Sequence, residues 1–476
     1  MRSKRSLVLL FAVGCGGGGG YGGGGDFGAT PGGVKDLHLA RSLIAAGKVP
    51  PADALLVEAM FAEHDLPLEG GLCDRTLCVR AAAGFAPDNG GQPRGFAQVG
   101  LSSTIDPETW QRPSTTFIFT VDVSGSMGWG QETTPGELSR KLLLRLTERM
   151  GPDDLAAIVT YGSDVTTEVG LTSDKSRLQE AIRGLSEAGS TNMEAGMRRA
   201  YGIGESALGK TEQVRVVVFT DVQPNVGATS GSEFNTMVGD AAADDVHTTV
   251  LALGTGIGPE VMRAMASLRG ANAFSMTNVE QVGTFMADEY PWFTTPIAYD
   301  LRVNAALDNG WSIARGLGFP AATDGEQVGL KAETVFLSKR RGALLVELNP
   351  PADTAIGLGG RFSLAYTEAD GTPVEDTAGF GYDGSAIDER GHWYQQRGVA
   401  RTTALALLTD GMHEAAKQYA QNQPLALEIM QAANARFAAD AAVLADEDLQ
   451  IEVELAAALT KLIAERAPQG TLYGQF

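Results

Sequence analysis

The sequence predicts an α/β protein: a doubly wound, mostly parallel sheet at its centre, a β-rich, sandwich-like region beside it, and a helical region toward the C-terminus. Three observations predict this. Between Thr115 and Tyr290 short apolar runs alternate with stretches of helical period, which implies right-handed crossovers and a sheet covered on both faces. Past Pro291 the pattern becomes short alternating runs, and past His392 it becomes Ala/Leu-rich with helical periodicity. At 476 residues the chain also exceeds the size at which one core usually keeps growing, so two or three domains are expected.

The elements follow in order. Arg2, Lys4 and Arg5 precede an apolar stretch from Leu7 to Val13, then Gly14-Cys15; residues 1–15 read as a secretory signal, too short to span a bilayer as an ordinary helix. Ala12-Val13-Gly14-Cys15 resembles the bacterial lipobox, with Ala12 where Leu is usual, which implies lipidation of Cys15; cleavage without lipid is the alternative. Residues 16–33 are glycine-rich and read as a flexible tether. In an exported chain Cys73 and Cys78 are placed to form a local disulfide, the alternative being two free thiols. No second pair or nearby His completes a zinc site.

Residues 34–114 form a region of helices and strands. Leu37 to Gly47 reads as a helix stopped by glycine, and Pro50-Pro51-Ala52 begins a second. Strand-like pieces from Leu77 to Leu101 flank a loop at Pro87 to Pro93. Residues 115–290 make up the central α/β domain. Its strands are Thr116 to Val123, Leu155 to Tyr161, Val214 to Thr220, Thr248 to Leu253 and Ala273 to Met276. Between them lie helices at Glu137 to Met150, Lys175 to Leu185, Met193 to Ile203, Glu233 to Ala243 and Glu260 to Leu268, with Asn278 to Tyr290 as a closing helix. Residues 291–392 are the β-rich region, with strands at Ile297 to Ala306, Trp311 to Gly316, Thr334 to Ser338, Ala343 to Leu348 and Arg361 to Tyr366. Residues 393–476 are helical, over Ala400 to Ala420, Pro424 to Ala445 and Leu449 to Glu465.

Charge narrows the partner. Lys plus Arg total 37 against 58 Asp plus Glu, and the formal charge of −21 argues against nucleic acid or an anionic membrane surface. It does not forbid an acidic ligand at a metal, because a bound dication can be the largest local charge in its site.

The first central strand delivers Asp122, Ser124 and Ser126, at alternate positions, onto a tight turn. Hard divalent ions such as Mg2+ take oxygen ligands, and a hydroxyl-rich site leaves room for a further acidic group. Gly189-Ser190-Thr191-Asn192 stands immediately before a helix, and Asp221 follows another strand. In open doubly wound sheets ligands sit outside the C-terminal ends of strands, where all three features fall. Asp, Ser and Gly also favour turns for local reasons, so the first turn alone would suit a plain loop; Thr191 and Asp221 at matching strand ends tip the reading to a metal.

On these residues the stretch from about Thr115 to Tyr290 resembles the von Willebrand factor type A domain. Asp122-x-Ser124-x-Ser126, Thr191 and Asp221 are similar to its metal-ion-dependent adhesion site in order and context. The resemblance implies Mg2+, or Mn2+ or Ca2+, contacted by the two Ser and the Thr, with the Asp residues acting directly or through water. By the same resemblance, a Glu or Asp of a partner protein is expected to complete the octahedron. Val222 departs from the Gly that many relatives carry after the Asp, which bears on the turn and on none of the oxygen ligands. More weakly, Ala40 to Pro50 and the β-rich segment resemble bacterial exported proteins with a central type A domain, some named by similarity to calcium-activated chloride channels. No pore is implied, since nothing after Cys15 has the roughly 18 continuous apolar residues a spanning helix needs.

Other residues read more plainly. Asn192 suits a helix N-cap rather than a ligand, and Glu187 and Glu194, which flank the Thr191 loop, suit solvated helix carboxylates rather than metal ligands. Trp129 either meets a ligand or packs its loop, and Gly128 to Pro135 is long enough to rim the binding face. His38, His64, His247, His392 and His413 are scattered, without metal spacing. A Walker loop, a Gly-x-Ser-x-Gly elbow and an aspartyl-phosphate motif are all missing, so the chain is read as a non-enzyme. The expected function is divalent-dependent protein binding at a bacterial cell envelope, lipid-anchored in the periplasm or at the cell surface. The alternatives are a structural scaffold holding only a structural metal, and a metal-assisted hydrolase.

Overall fold

The computed structural model describes residues 27–106, 109–129, 133–221, 225–256, 258–320, 330–352 and 357–470. The signal at 1–15, lipidation of Cys15, the first part of the tether, Val222 and residues 471–476 lie outside the described residues.

The tether reading does not extend to Gly33. Phe27–Pro31 is a strand (β1), and Gly33–Val34 a short second one (β2). Gly28 serves close approach rather than flexibility: a Cβ there would fall 2.2 Å from the Ser338 carbonyl and 2.4 Å from that of Arg340. Two helices follow, His38–Ala45 (α1) and Val57–Glu63 (α2), then strands Cys78–Pro87 (β3) and Pro93–Ser103 (β4), paired antiparallel around the anticipated loop. Cys73 and Cys78 are disulfide-bonded, with their Cα atoms 5.6 Å apart.

The central domain runs through Thr115–Asp122 (β5), Pro135–Arg149 (α3), Leu155–Tyr161 (β6), Val165–Thr172 (β7), Lys175–Gly184 (α4) and Met193–Glu205 (α5). It continues through Gln213–Thr220 (β8), Gly231–Ala243 (α6), Val246–Leu253 (β9), Pro259–Ala266 (α7), Asn272–Met276 (β10) and Val279–Thr284 (α8). The seven described strands are ordered β2-β10-β9-β8-β5-β6-β7, all parallel except β7. The chain thus winds outward from β5 to one edge, then returns to β8 and winds to the other, which puts a switch point between β5 and β8. β5 and β9 are buried at every residue, as a strand covered on both faces must be. Two features departed from the sequence pattern. β7 is an antiparallel edge with only Val169 buried, too polar to stand out by periodicity. The closing helix is short, ending in a π-helical turn at Phe285–Glu289.

Beyond it lie Pro296–Leu307 (β11), Ser312–Leu317 (β12), Lys331–Ser338 (β13), Gly342–Asn349 (β14), Gly359–Glu368 (β15), Pro373–Gly381 (β16) and Trp393–Tyr394 (β17). The β-rich region is not built from residues 291–392 alone. β12-β14-β4-β1-β13-β11-β15-β16 form one antiparallel sheet, with β3 on β4 and β17 on β3. The halves on either side of β1 enclose a shared apolar core that includes Val99, Leu344, Leu301 and Phe362, which gives the sandwich-like form. β1, β3 and β4 therefore depend on partners far along the chain, and the central domain is an insertion between β4 and β11.

Three long helices end the described chain: Arg397–Tyr419 (α9), Gln423–Leu444 (α10) and Gln450–Ala464 (α11). They are fastened to the N-terminal helices by charge. Arg41 Nη2 donates to Glu452 Oε1 (2.6 Å) and to Glu63 Oε2 (2.5 Å), and His64 Nε2 lies 3.1 Å from Glu452 Oε1. Burial pushes the Glu452 carboxyl up, but the hydrogen bond from His64 and the charge of Arg41 hold it below the ordinary value. Glu452 is fully buried, so Glu452→Ala leaves Arg41 short of a partner in a dry site. The expected cost is about 2–3 kcal/mol, below the ~3–5 of a wholly enclosed pair because Glu63 still faces Arg41. Urea unfolding checks it; a loss under ~0.5 kcal/mol would show the network to be idle.

Candidate metal centre

β5 ends on Asp122, whose carboxylate is fixed from two directions. Ser124 N–H donates to Oδ1 (2.8 Å), and Thr220 Oγ1 donates to Oδ2 (3.0 Å). Ser124 then starts a 3-10 turn at Gly125–Gly128, which brings its hydroxyl within 3.1 Å of the Ser126 hydroxyl. Alternation along an extended strand followed by a tight turn is what gathers these three side chains.

The second loop is laced to the first. Gly125 N–H donates to the Gly189 carbonyl (3.0 Å), and Ala188 N–H donates to that of Val123 (2.7 Å). Gly189 adopts φ +84°, and a Cβ there would meet the Ser163 hydroxyl at 2.3 Å, so glycine is required. Thr191 follows, and Asn192 caps α5 by accepting from Ala195 N–H (3.1 Å). The third loop clasps the second: Thr191 N–H donates to Asn225 Oδ1 (2.9 Å), while Asn225 and Val226 N–H both donate to the Thr191 carbonyl (3.2 Å each). Asp221 directly follows β8, beside β5.

The five predicted residues thus lie on three interlocked turns at the switch point. Asp122, Ser124, Thr191 and Asp221 are each no more than 2% exposed, whereas Ser126 is half-buried and opens the cluster to solvent. The Asp122 carboxyl is pushed up to about 7, first by burial and then by the neighbouring charge of Asp221; hydrogen bonds from Ser124 and Thr220 oppose this only in part. Two carboxylates held together out of water repel one another unless a cation or a proton intervenes. Two carboxylates with three hydroxyls are an all-oxygen donor set, so the residues present fit a hard dication.

Sequence reasoning overlooked the residues that hold the donors. Thr220 orients Asp122 and Asn225 orients Thr191. Their signal is weak, being a Thr just before the second Asp and an Asn within a turn. Glu187 is not a helix carboxylate: it lies in a loop and pairs with Arg140. Glu194 accepts from Arg198 Nε (2.9 Å) and Ala228 N–H (2.8 Å). Trp129 is 56% exposed on the rim beyond Ser126.

Comparison with known proteins bears on the fold of the central domain. Residues 117–223 match the family model described as von Willebrand factor type A domain. The chain is 24% identical over 285 residues to the uncharacterized protein YfbK of Escherichia coli (strain K12), a match covering 57% of this chain and 48% of that one. It is 28% identical over 137 residues to inter-alpha-trypsin inhibitor heavy chain H1 of Mesocricetus auratus, covering 27% of this chain and 15% of that one. The matched part thus spans about half the length of the first relative and less of the second. In fold the chain is similar to a von Willebrand factor type A structure from Catenulispora acidiphila, with a TM-score of 0.52 at 12% identity, over 86% of this chain and 99% of that one.

Proposed function

Because the chain carries a von Willebrand factor type A domain, in general a protein-interaction or adhesion module, we propose that it binds a protein partner through a divalent cation at a bacterial cell envelope. Asp122, Ser124, Ser126, Thr191 and Asp221 hold the ion, Mg2+ or else Mn2+ or Ca2+, and an acidic residue of the partner completes its shell. The observation that carries this reading is the buried pairing of Asp122 with Asp221 among three hydroxyls, with the Asp122 carboxyl raised to about 7. A bound dication offsets that repulsion and offers a coordination position to an incoming carboxylate. The test is calorimetric titration of the full chain with Mg2+, paired with capture of envelope proteins in Mg2+ and in chelator. Heat of binding and capture both lost in chelator support it; capture indifferent to chelator sinks it.

A second reading is a structural component of an envelope assembly. It draws on how the domain is stitched in: β1 and β2 are nearly consecutive yet lie in different sheets, so the central domain shares its edge with the β-rich body. Capture that persists in chelator favours this scaffold.

The envelope position rests on the pattern Arg2 to Cys15. Among the described residues no helix is long and apolar enough to cross a membrane. Cys15→Ala is therefore expected to move the protein from the membrane fraction to the soluble fraction of a bacterial host. An unchanged distribution on fractionation would count against a lipid anchor.

A further inference from the structure

We propose that the partner segment seated at this centre carries a single acidic residue flanked by apolar side chains, and that Trp129 and Val226 read those flanks. The proposal rests on the metal-dependent reading above and adds the chemistry of the partner to it.

Large apolar side chains that remain exposed are few among the described residues, and two of them stand on the turns that carry the candidate donors: Trp129 at 56% and Val226 at 42%. Both are tied to the donor set itself. Trp129 N–H donates to the Ser126 carbonyl (3.0 Å), and Val226 N–H donates to the Thr191 carbonyl (3.2 Å). Each apolar side chain is thus one backbone hydrogen bond from a residue of the centre, on a turn whose geometry the centre fixes. Exposed Trp on a fixed turn is costly in water and favourable under a partner, which is why Trp dominates binding hot spots.

Charge selects the rest of the segment. Glu187 borders Gly128, immediately before Trp129, and Glu194 borders Gly227, immediately after Val226. Each is answered by its own arginine, Arg140 or Arg198, and the chain as a whole carries −21. A run of acidic residues on the partner would meet the net negative charge of the chain unfavourably away from the ion. A lone Glu or Asp reaches the ion without that penalty, and its apolar neighbours remove Trp129 and Val226 from water.

The experiment uses the full chain and immobilised synthetic peptides built on a Gly-Ser frame around one Glu, flanked by Leu and Phe, by Ser, or by Asp. In Mg2+ the Leu/Phe-flanked peptide is expected to bind on the order of tenfold to a hundredfold more tightly than the Ser-flanked one, and the Asp-flanked one weakest. The double variant Trp129→Ser, Val226→Ser is expected to lose the preference for apolar flanks while its remaining capture stays chelator-sensitive. Both positions are exposed, and an unchanged melting temperature verifies the fold. Chelator-sensitive capture that ignores the flanks, or a preference that survives the double variant, overturns this inference and leaves the metal reading standing. No chelator-sensitive capture of any peptide overturns both.

Discussion

The Asp122→Ala protein is expected to bind no Mg2+ and to lose divalent-dependent capture altogether, while folding as the parent does. Asp122 is the hinge of the candidate centre: its two oxygens accept from Ser124 and Thr220, at the ends of two different strands, and it is 1% exposed. Removing it takes away one of two carboxylates, and with it the charge that makes a dication favourable there. In metal-free buffer the change is expected to alter stability by under about 1 kcal/mol, since lost hydrogen bonds are offset by relief of repulsion from Asp221. In Mg2+ the two proteins separate. A ligand at a hundred times its dissociation constant stabilises the native state by about 2.7 kcal/mol, and only the parent should show this. Thermal unfolding with and without Mg2+ reads it directly. A variant that gains as much from Mg2+ as the parent would remove Asp122 from the centre.

The second large effect is on pH. The Asp122 carboxyl is raised in the folded state from 3.8 to about 7. The folded chain therefore holds a proton there that the unfolded chain has released, across the interval between those values. Its contribution is fully present below the unfolded value and is lost as pH rises through about 7, at roughly 1.4 kcal/mol per pH unit. In chelator the protein should thus be a few kcal/mol more stable at about pH 5 than at about pH 8 from this group. On the metal-dependent reading a dication takes the place of the proton, so saturating Mg2+ should flatten the dependence and bind more tightly as pH rises toward 8. Other groups titrate too, so the comparison is with Asp122→Asn, whose amide does not titrate in this range. Urea unfolding of both proteins across the interval decides it; identical slopes in chelator would place the burden on some other group.

These expectations begin in residues that could be read directly. Asp122, Ser124 and Ser126 are consecutive alternate positions, so their convergence follows from strand geometry and a turn. Strands β5, β6, β8, β9 and β10 and the helices between them announce themselves by period, because each is buried on a repeating set of faces. Thr191 and Asp221 could be placed at strand and helix ends by the same local logic. Trp129 could be noticed, but not its exposure or its tie to Ser126, which depend on the 3-10 turn.

What escaped the sequence was set by contact at a distance. Gly28 looks like one more glycine of a tether until Ser338 and Arg340 are seen to press on it. β1, β3 and β4 look like parts of an N-terminal region, yet they pair with β13, β14 and one another. Antiparallel pairing has no sequence distance built into it, and an edge finds its partner only when turns, register and core are formed together. The sequence by itself determined the candidate donor residues and the doubly wound order that brings them to strand ends. Only the tertiary structure decided how Thr220 and Asn225 hold those donors, how far Asp122 and Asp221 are withdrawn from water, and that the central domain is an insertion in a larger sheet. Local period records which face a residue buries; it does not record what lies against that face.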